Sequence, residues 1–285
     1  MVLTMLNPAP QNCRDVAKNE NLEKELQVDK VGPKPVEILD GAFNEATDDA
    51  EYTNMKQFKM KSISHWPYHC PIASCRQVLG VNCILSHCLV DHTSDLWMKG
   101  VQCKEIYNKQ RTIIEIDVGK IEFNKSICLG CIMYAGLAEN DRKTLPGIRG
   151  LCAQNAFLPP MYMQYKNHMP ILIMCCSTSW KEWISRRELR NKFENSNHKG
   201  KELLVFWLTG PETAKPVHLI MTVYSKNLLY SKSVILSVKP LREPQHPKAF
   251  FVKEANYLML TAGEIEKVTE QYSARLNLDF IIKEF

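Results

Sequence analysis

The sequence predicts a mainly β protein: a small C2H2-type metal module, then an antiparallel β-sandwich with a few short helices, all behind a disordered tail. Three observations predict it. Two cysteines and two histidines fall at metal-ligand spacing between Cys70 and His92. Beyond residue 100 the chain breaks into many short β-branched or alternating segments separated by turn residues, with two helix-start signals among them. Residues 1–60 show neither pattern; they are rich in Asn, Pro, Glu, Asp and Lys, and their apolar residues are too sparse to carry a period. The expected organisation is a tail over 1–60, with at most a short helix around Asn21–Leu26, a metal module over 66–95 and a sandwich over 100–285.

In the module, Cys70-Pro71-Ile72-Ala73-Ser74-Cys75 is followed after eleven residues by His87 and after four more by His92. Two thiolates and two imidazoles satisfy the tetrahedral preference of Zn²⁺ and leave no coordination position open, the arrangement of a structural site. Cys70, Cys75, His87 and His92 are the expected ligands of one structural zinc ion. Pro71 and the small Ala73 and Ser74 suit a tight knuckle that turns both sulfurs inward. Val78, Leu79, Val81, Ile84, Leu85 and Leu89 supply apolar residues for a small core. A buried thiol pair with two surface histidines is the alternative for these residues. His69, Cys83 and Cys88 lie nearby and are taken as non-ligands, Cys88 as a small buried hydrophobe.

The strand segments follow. Thr112–Val118 and Lys120–Tyr134 are β-branched and apolar, interrupted by Gly119 and Gly130 as two strands with a turn or bulge would be. Pro170–Cys176 is a continuous apolar run, the pattern of a strand buried on both faces, and Leu203–Leu208 repeats it. Val217, Leu219, Met221 and Val223 alternate, as do Val234, Leu236 and Val238, with a turn at Ser225–Leu228 between them. The last segment puts Ala274, Leu276, Leu278, Phe280 and Ile282 on one face, with Arg275, Asn277, Asp279 and Lys283 on the other. Capping boxes at Ser179–Glu182 and Thr261–Glu264 open two helices, the second running to about Gln271.

Composition narrows the function classes. At 285 residues with 45% hydrophobic content, the chain can bury a substantial core. Its eleven cysteines, with no secretory leader in Met1–Pro10, suggest a reducing compartment, cytoplasmic or nuclear. No apolar run approaches bilayer length, so no membrane partner is expected. Residues 1–60 carry seven Lys/Arg against eleven Asp/Glu, or −4, so with +5 overall the remainder carries +9. Lys181–Lys201 holds seven Lys/Arg and three acids, either a solvated insertion or a surface for nucleic acid.

Enzyme signatures are missing: no phosphate-binding glycine loop, GxSxG elbow or HExxH helix occurs. Cys128 and Cys131 form a CxxC; in a regular strand they would point to opposite faces, as core residues. Cys175-Cys176 sits in an apolar run without a neighbouring base, and His168, His198, His218 and His246 are remote in sequence. A helix starting near Asn82-Cys83-Ile84-Leu85-Ser86 offers one polar reader and no basic one for a DNA groove. A non-enzymatic protein is expected.

The module's spacing and its Cys-Pro-x-Ala-Ser-Cys opening resemble the second zinc finger of the seven-in-absentia family, in which fingers precede a TRAF-like sandwich. Toward the end, Val217–Tyr224, Ser233–Pro240, Asn256-Tyr257-Leu258 running into the Thr261 helix, and the final strand to Lys283 follow that family's closing order. The likeness covers about residues 66–135 and 200–283, and a fly-specific group of uncharacterised proteins with this layout also looks similar. It implies a protein-interaction adaptor that binds extended peptide segments, with the strands Thr112–Val118 and Lys120–Tyr134 nearest the groove, and that forms a homodimer. A RING needs eight Cys/His ligands, and before Cys70 the sequence offers only Cys13, His65 and His69. The resemblance therefore implies substrate recognition in the ubiquitin pathway without ligase chemistry. The alternative function is a nuclear nucleic-acid factor using the finger and residues 181–201.

Overall fold

The structure, a computed structural model, describes residues 66–92, 104–139, 141–184, 191, 202–251 and 254–284. The expected tail and nearly all of the basic run after Ile184 lie outside the described residues. The chain divides into two compact units, Met1–Lys59 and Met60–Phe285, and every described residue belongs to the second.

The second unit is mainly β. It opens with a short antiparallel pair, β1 (Tyr68–His69) and β2 (Val78–Leu79), followed by helix α1 (Ile84–Asp91). A six-stranded sheet takes β3 (Lys104–Ile106), β5 (Ser126–Tyr134), β6 (Met169–Ser179) and β7 (Glu202–Gly210) in that order. Beyond β7, β10 (Lys239–Pro240) pairs parallel with Thr209–Gly210, and β11 (Leu258–Thr261) pairs antiparallel with Leu203–Phe206. A four-stranded antiparallel sheet runs β4 (Arg111–Ile116), β12 (Leu276–Glu284), β8 (Val217–Tyr224), β9 (Ser231–Ser237). Among the described residues three further short helices are α2 (Trp180–Trp183), α3 (Pro247–Phe250) and α4 (Ala262–Val268).

The continuous apolar runs form strands buried on both faces. In β6, Ile171, Ile173 and Cys175 join the core between the two sheets, where Phe206 and Leu208 of β7 meet Leu219, Met221, Leu278 and Phe280. Leu172, Met174 and Cys176 point the other way and join Val205 and Trp207 in a second core. That second core is closed by the β1–β2–α1 module, through Ile72, Leu79, Ile84, Leu85 and Leu89, and by Phe250 and Phe251. Each such fully buried side chain contributes about 1.5–3 kcal/mol. The module's apolar residues are therefore spent on the sheet, and the largest of the fully buried side chains, Trp207, lies on the covered face.

The alternating segments behave as half-buried strands. Val217, Leu219, Met221 and Val223 of β8 are buried in alternation, and so are Leu276, Leu278, Phe280 and Ile282 of β12. Two segments read as neighbouring strands separate instead: β4 lies in the four-stranded sheet and β5 in the six-stranded one. The residues between them cross from one layer to the other through a single 3-10 turn at Val118–Lys120, so Gly119 ends a strand and makes no hairpin. After β9 the chain crosses back, with Leu236 in the inner core and Lys239 already paired to β7.

The two capping boxes fare differently. Thr261 forms a complete box: its hydroxyl accepts from the Glu264 amide at 3.3 Å and its amide donates to Glu264 Oε2 at 2.8 Å. The helix stops at Val268, short of Gln271, because the Gln271 amide reaches back five residues to the Glu266 carbonyl and Glu270, Gln271 and Tyr272 all adopt positive φ. Ser179, by contrast, makes no capping bond: its hydroxyl is buried without a hydrogen-bond partner, and α2 spans four residues.

Long-range polar contacts tie the ends together. Glu284, its side chain 4% exposed, accepts from the Tyr134 hydroxyl at 2.6 Å and is gripped through both carboxylate oxygens by the Arg149 guanidinium. Gly136, at φ 102°, lets the chain that follows fold back with the Thr144 carbonyl against it, which a Cβ would strike at 2.0 Å. Removing one partner of a buried pair leaves an uncompensated charge, so Arg149→Ala is expected to lower the unfolding free energy by about 3–5 kcal/mol in denaturant titration. Burial alone would push the Glu264 carboxyl up, but Lys232, the Thr261 amide and the Tyr230 hydroxyl outweigh it and hold the carboxyl down at about 2. A depressed carboxyl stabilises the fold above its unfolded value near 4.5 and loses that contribution as pH falls toward about 2. Acid unfolding of Glu264→Gln should therefore show a shallower fall in stability across that window than the unaltered chain.

Candidate metal centre and the groove beside it

Cys70 follows β1 and Cys75 sits five residues on, with the knuckle closed by a bond from the Cys75 amide to the Ile72 carbonyl at 2.9 Å. His87 lies on α1 and His92 just past its end. The structure brings these four expected ligands together. Their donor atoms lie within 4.8 Å of one another, and they could hold a metal ion. Cys70 Sγ is 3.5 Å from His92 Nε2, Cys75 Sγ is 3.5 Å from His87 Nε2, and the two Nε2 atoms are 3.1 Å apart.

Those separations can be tested against a tetrahedral ion. Sulfurs at about 2.3 Å and ring nitrogens at about 2.0–2.1 Å require S···N of roughly 3.5 Å and N···N of roughly 3.3 Å. The donor set fits. Chemistry agrees with geometry: burial pushes the Cys70 thiol up to about 12, so without a cation it stays protonated. Burial also lowers the pKa of His87, keeping its ring neutral and able to donate a lone pair. A bound cation would displace the thiol protons and supply the charge that the four donors lack.

One supporting residue was not legible as such. Asp91 Oδ2 lies 2.6 Å from His87 Nδ1, which fixes the tautomer with Nε2 turned toward the cluster. Its sequence signal is a carboxylate one helical turn beyond a ligand histidine, readable only once the helix is known. His69 is exposed, while Cys83 and Cys88 are buried in the module and stand outside the four-residue cluster.

The CxxC differs from expectation. Cys128 and Cys131 do not point to opposite faces: the register of β5 against β6 shifts between Cys128 and Gly130, so a bulge at Leu129 adds one residue. Cys128 then stands opposite Met174 and Cys131 opposite Leu172, and both cysteines join the module-facing core. They are packing residues, as expected, on one face. Cys175 is fully enclosed and burial pushes its thiol well up, the opposite of what a nucleophile needs. His218 is engaged with the Ser237 hydroxyl at 2.9 Å, and His168 lies 3.4 Å from Glu105. No disulfide links any of the described cysteines.

Beside the metal cluster runs a groove of 440 Å³. One wall is the knuckle itself, Ile72, Ala73 and Ser74. The opposite wall is the end of β4 at Glu115 and Ile116, and Ile127 and Leu129 of β5 line it between them. Among the described residues, β3 pairs with β5 over Ile132–Tyr134, and β4 is an outer strand of its sheet, paired on one side to β12. The charges at its rim balance, Lys120 with Asp117 and Lys125 with Glu122.

Fold and cluster together define a mainly β protein with a Cys/His site able to hold a metal ion. Residues 69–271 match the family model DUF4729, a domain of unknown function, and the chain belongs to that family. The match spans the chain from beside the metal cluster to the turn after α4. No curated protein matches the sequence. Among the described residues no helix is long and apolar enough to cross a membrane.

Loss of a carboxylate behind a ligand histidine typically weakens metal binding about 10–100-fold. Asp91→Ala is expected to do so here, read by competition with a chromophoric chelator, with the four ligands left in place.

Proposed function

We propose that this protein is a non-catalytic adaptor: one structural zinc ion, held by Cys70, Cys75, His87 and His92, fixes a finger onto a TRAF-like sandwich that binds an extended peptide of a partner protein. Zinc is favoured by the donor set, since two thiolates and two imidazoles in a tetrahedron suit that ion and leave no position for substrate or water. The observation that carries the peptide reading is the 440 Å³ groove between two sheet edges. An extended segment laid there would add main-chain hydrogen bonds to an edge, and alternate side chains would meet Ile127 and Leu129 on its floor. The balanced rim charges favour a peptide of low net charge over a polyanion.

In the terms of the seven-in-absentia resemblance, the protein would hand substrates to a ubiquitin ligase carried on another chain, as a homodimer in the cytoplasm or nucleus. The nucleic-acid alternative rests on residues 181–201, and Arg186, Arg187 and Arg190 lie outside the described residues.

A peptide array probed with the zinc-loaded full chain tests the reading. Selective binders are expected, and Ser74→Arg, which fills the groove from its exposed knuckle wall, should weaken them about tenfold or more without changing the melting temperature. A folded, zinc-loaded protein with no selective binder would overturn it.

A further inference from the structure

The groove wall and the metal cluster share one stretch of chain. Ile72, Ala73 and Ser74 line the groove, and they are the residues enclosed between the ligands Cys70 and Cys75. A loop held at both ends by one ion has little freedom; released from it, four residues between two thiols have no other long-range anchor than the contacts they make with the sheet. Two such contacts are present. The Ala73 amide donates to the Ser126 carbonyl at 3.2 Å, at the first residue of β5, and Ile72 is buried against Cys128 and its neighbours in the module-facing core. Ser126 itself lines the groove, and its hydroxyl is buried without a hydrogen-bond partner. The knuckle is thus both the clasp of the metal and the lid over the start of β5.

We infer that metal occupancy gates the groove: the ion sets the knuckle, the knuckle sets the wall and covers the start of β5, and loss of the ion opens that wall while the four-stranded sheet stays formed. The gate rests on the groove being the binding site, as proposed above, but its mechanical part stands without any peptide. The four-stranded sheet shares no residue with the metal-side core, since its buried apolar side chains all belong to the core between the sheets. The effect of the ion should therefore stay on one side of the molecule.

Hydrogen exchange on the full chain, zinc-loaded, stripped with a strong chelator, and reloaded with Zn²⁺, reads this directly. Amides of Ile72–Cys75 and of Ser126–Leu129 are expected to exchange about tenfold faster when stripped and to recover together on reloading, while Val217–Tyr224 and Leu276–Glu284 keep their protection. In Asp91→Ala the zinc concentration that restores protection should rise about 10–100-fold for both segments in step. Unchanged exchange at Ser126–Leu129 while Ile72–Cys75 responds would overturn the gate. So would equal loss across both sheets, because the ion would then support the whole fold. Coupled exchange in a protein that selects no peptide on the array sinks the peptide reading and sustains the mechanical gate, so the two failures are distinguishable.

Discussion

The rest of the structure depends on one constraint: the strands β5, β6 and β7 are apolar on both faces and must be covered twice. The four-stranded sheet covers one face, with Phe280 and Met221 against Phe206. The other is covered by the Cys/His module and by Phe250 and Phe251, with Tyr162, Tyr165, Trp180 and Tyr257 packed against the same core. A short hairpin and an eight-residue helix have too little surface to enclose a core of their own. They become stable by joining the sheet, and the sheet becomes soluble by accepting them.

The same need draws cysteines into the packing. Among the described residues, Cys88, Cys128, Cys131, Cys175 and Cys176 serve as small apolar residues in tight layers. Some buried polar groups brace the fold. Lys239, 3% exposed, reaches Glu254 at 2.9 Å and lies over the Phe250 ring at 4.4 Å, so it holds the α3 segment down on the same face that the module covers.

Much of this was legible in residues close together in sequence. The spacing of Cys70, Cys75, His87 and His92 drew the cluster, the run Pro170–Cys176 foretold a doubly buried strand, the alternation in Val217–Val223 and Leu276–Ile282 gave the half-buried ones, and Thr261 with Glu264 gave a helix start. What escaped was set by distant partners. Nothing local says that β4 and β5 part into different sheets, since each segment is an adequate strand in either. Arg149 and Glu284 are 135 residues apart, and Asp91 becomes meaningful only when a helix turns it toward His87. Ser179 and Glu182 have the composition of a cap, but packing took the serine hydroxyl into the interior instead.

The bulge at Leu129 has a consequence for how such a chain can change over evolutionary time. Side chains on a strand switch sides with every residue, so one inserted residue works as a parity change: upstream of it, inward and outward are exchanged relative to a regular strand. Insertions or deletions in the first half of β5 would be tolerated in pairs and rejected singly, because a single step would turn Cys128 into the space between the sheets and push Ile127 out against the knuckle. Length variation among relatives should accordingly collect in the connections, and the distance in residues from Ser126 to Cys131 should be held as firmly as the ligand spacing itself.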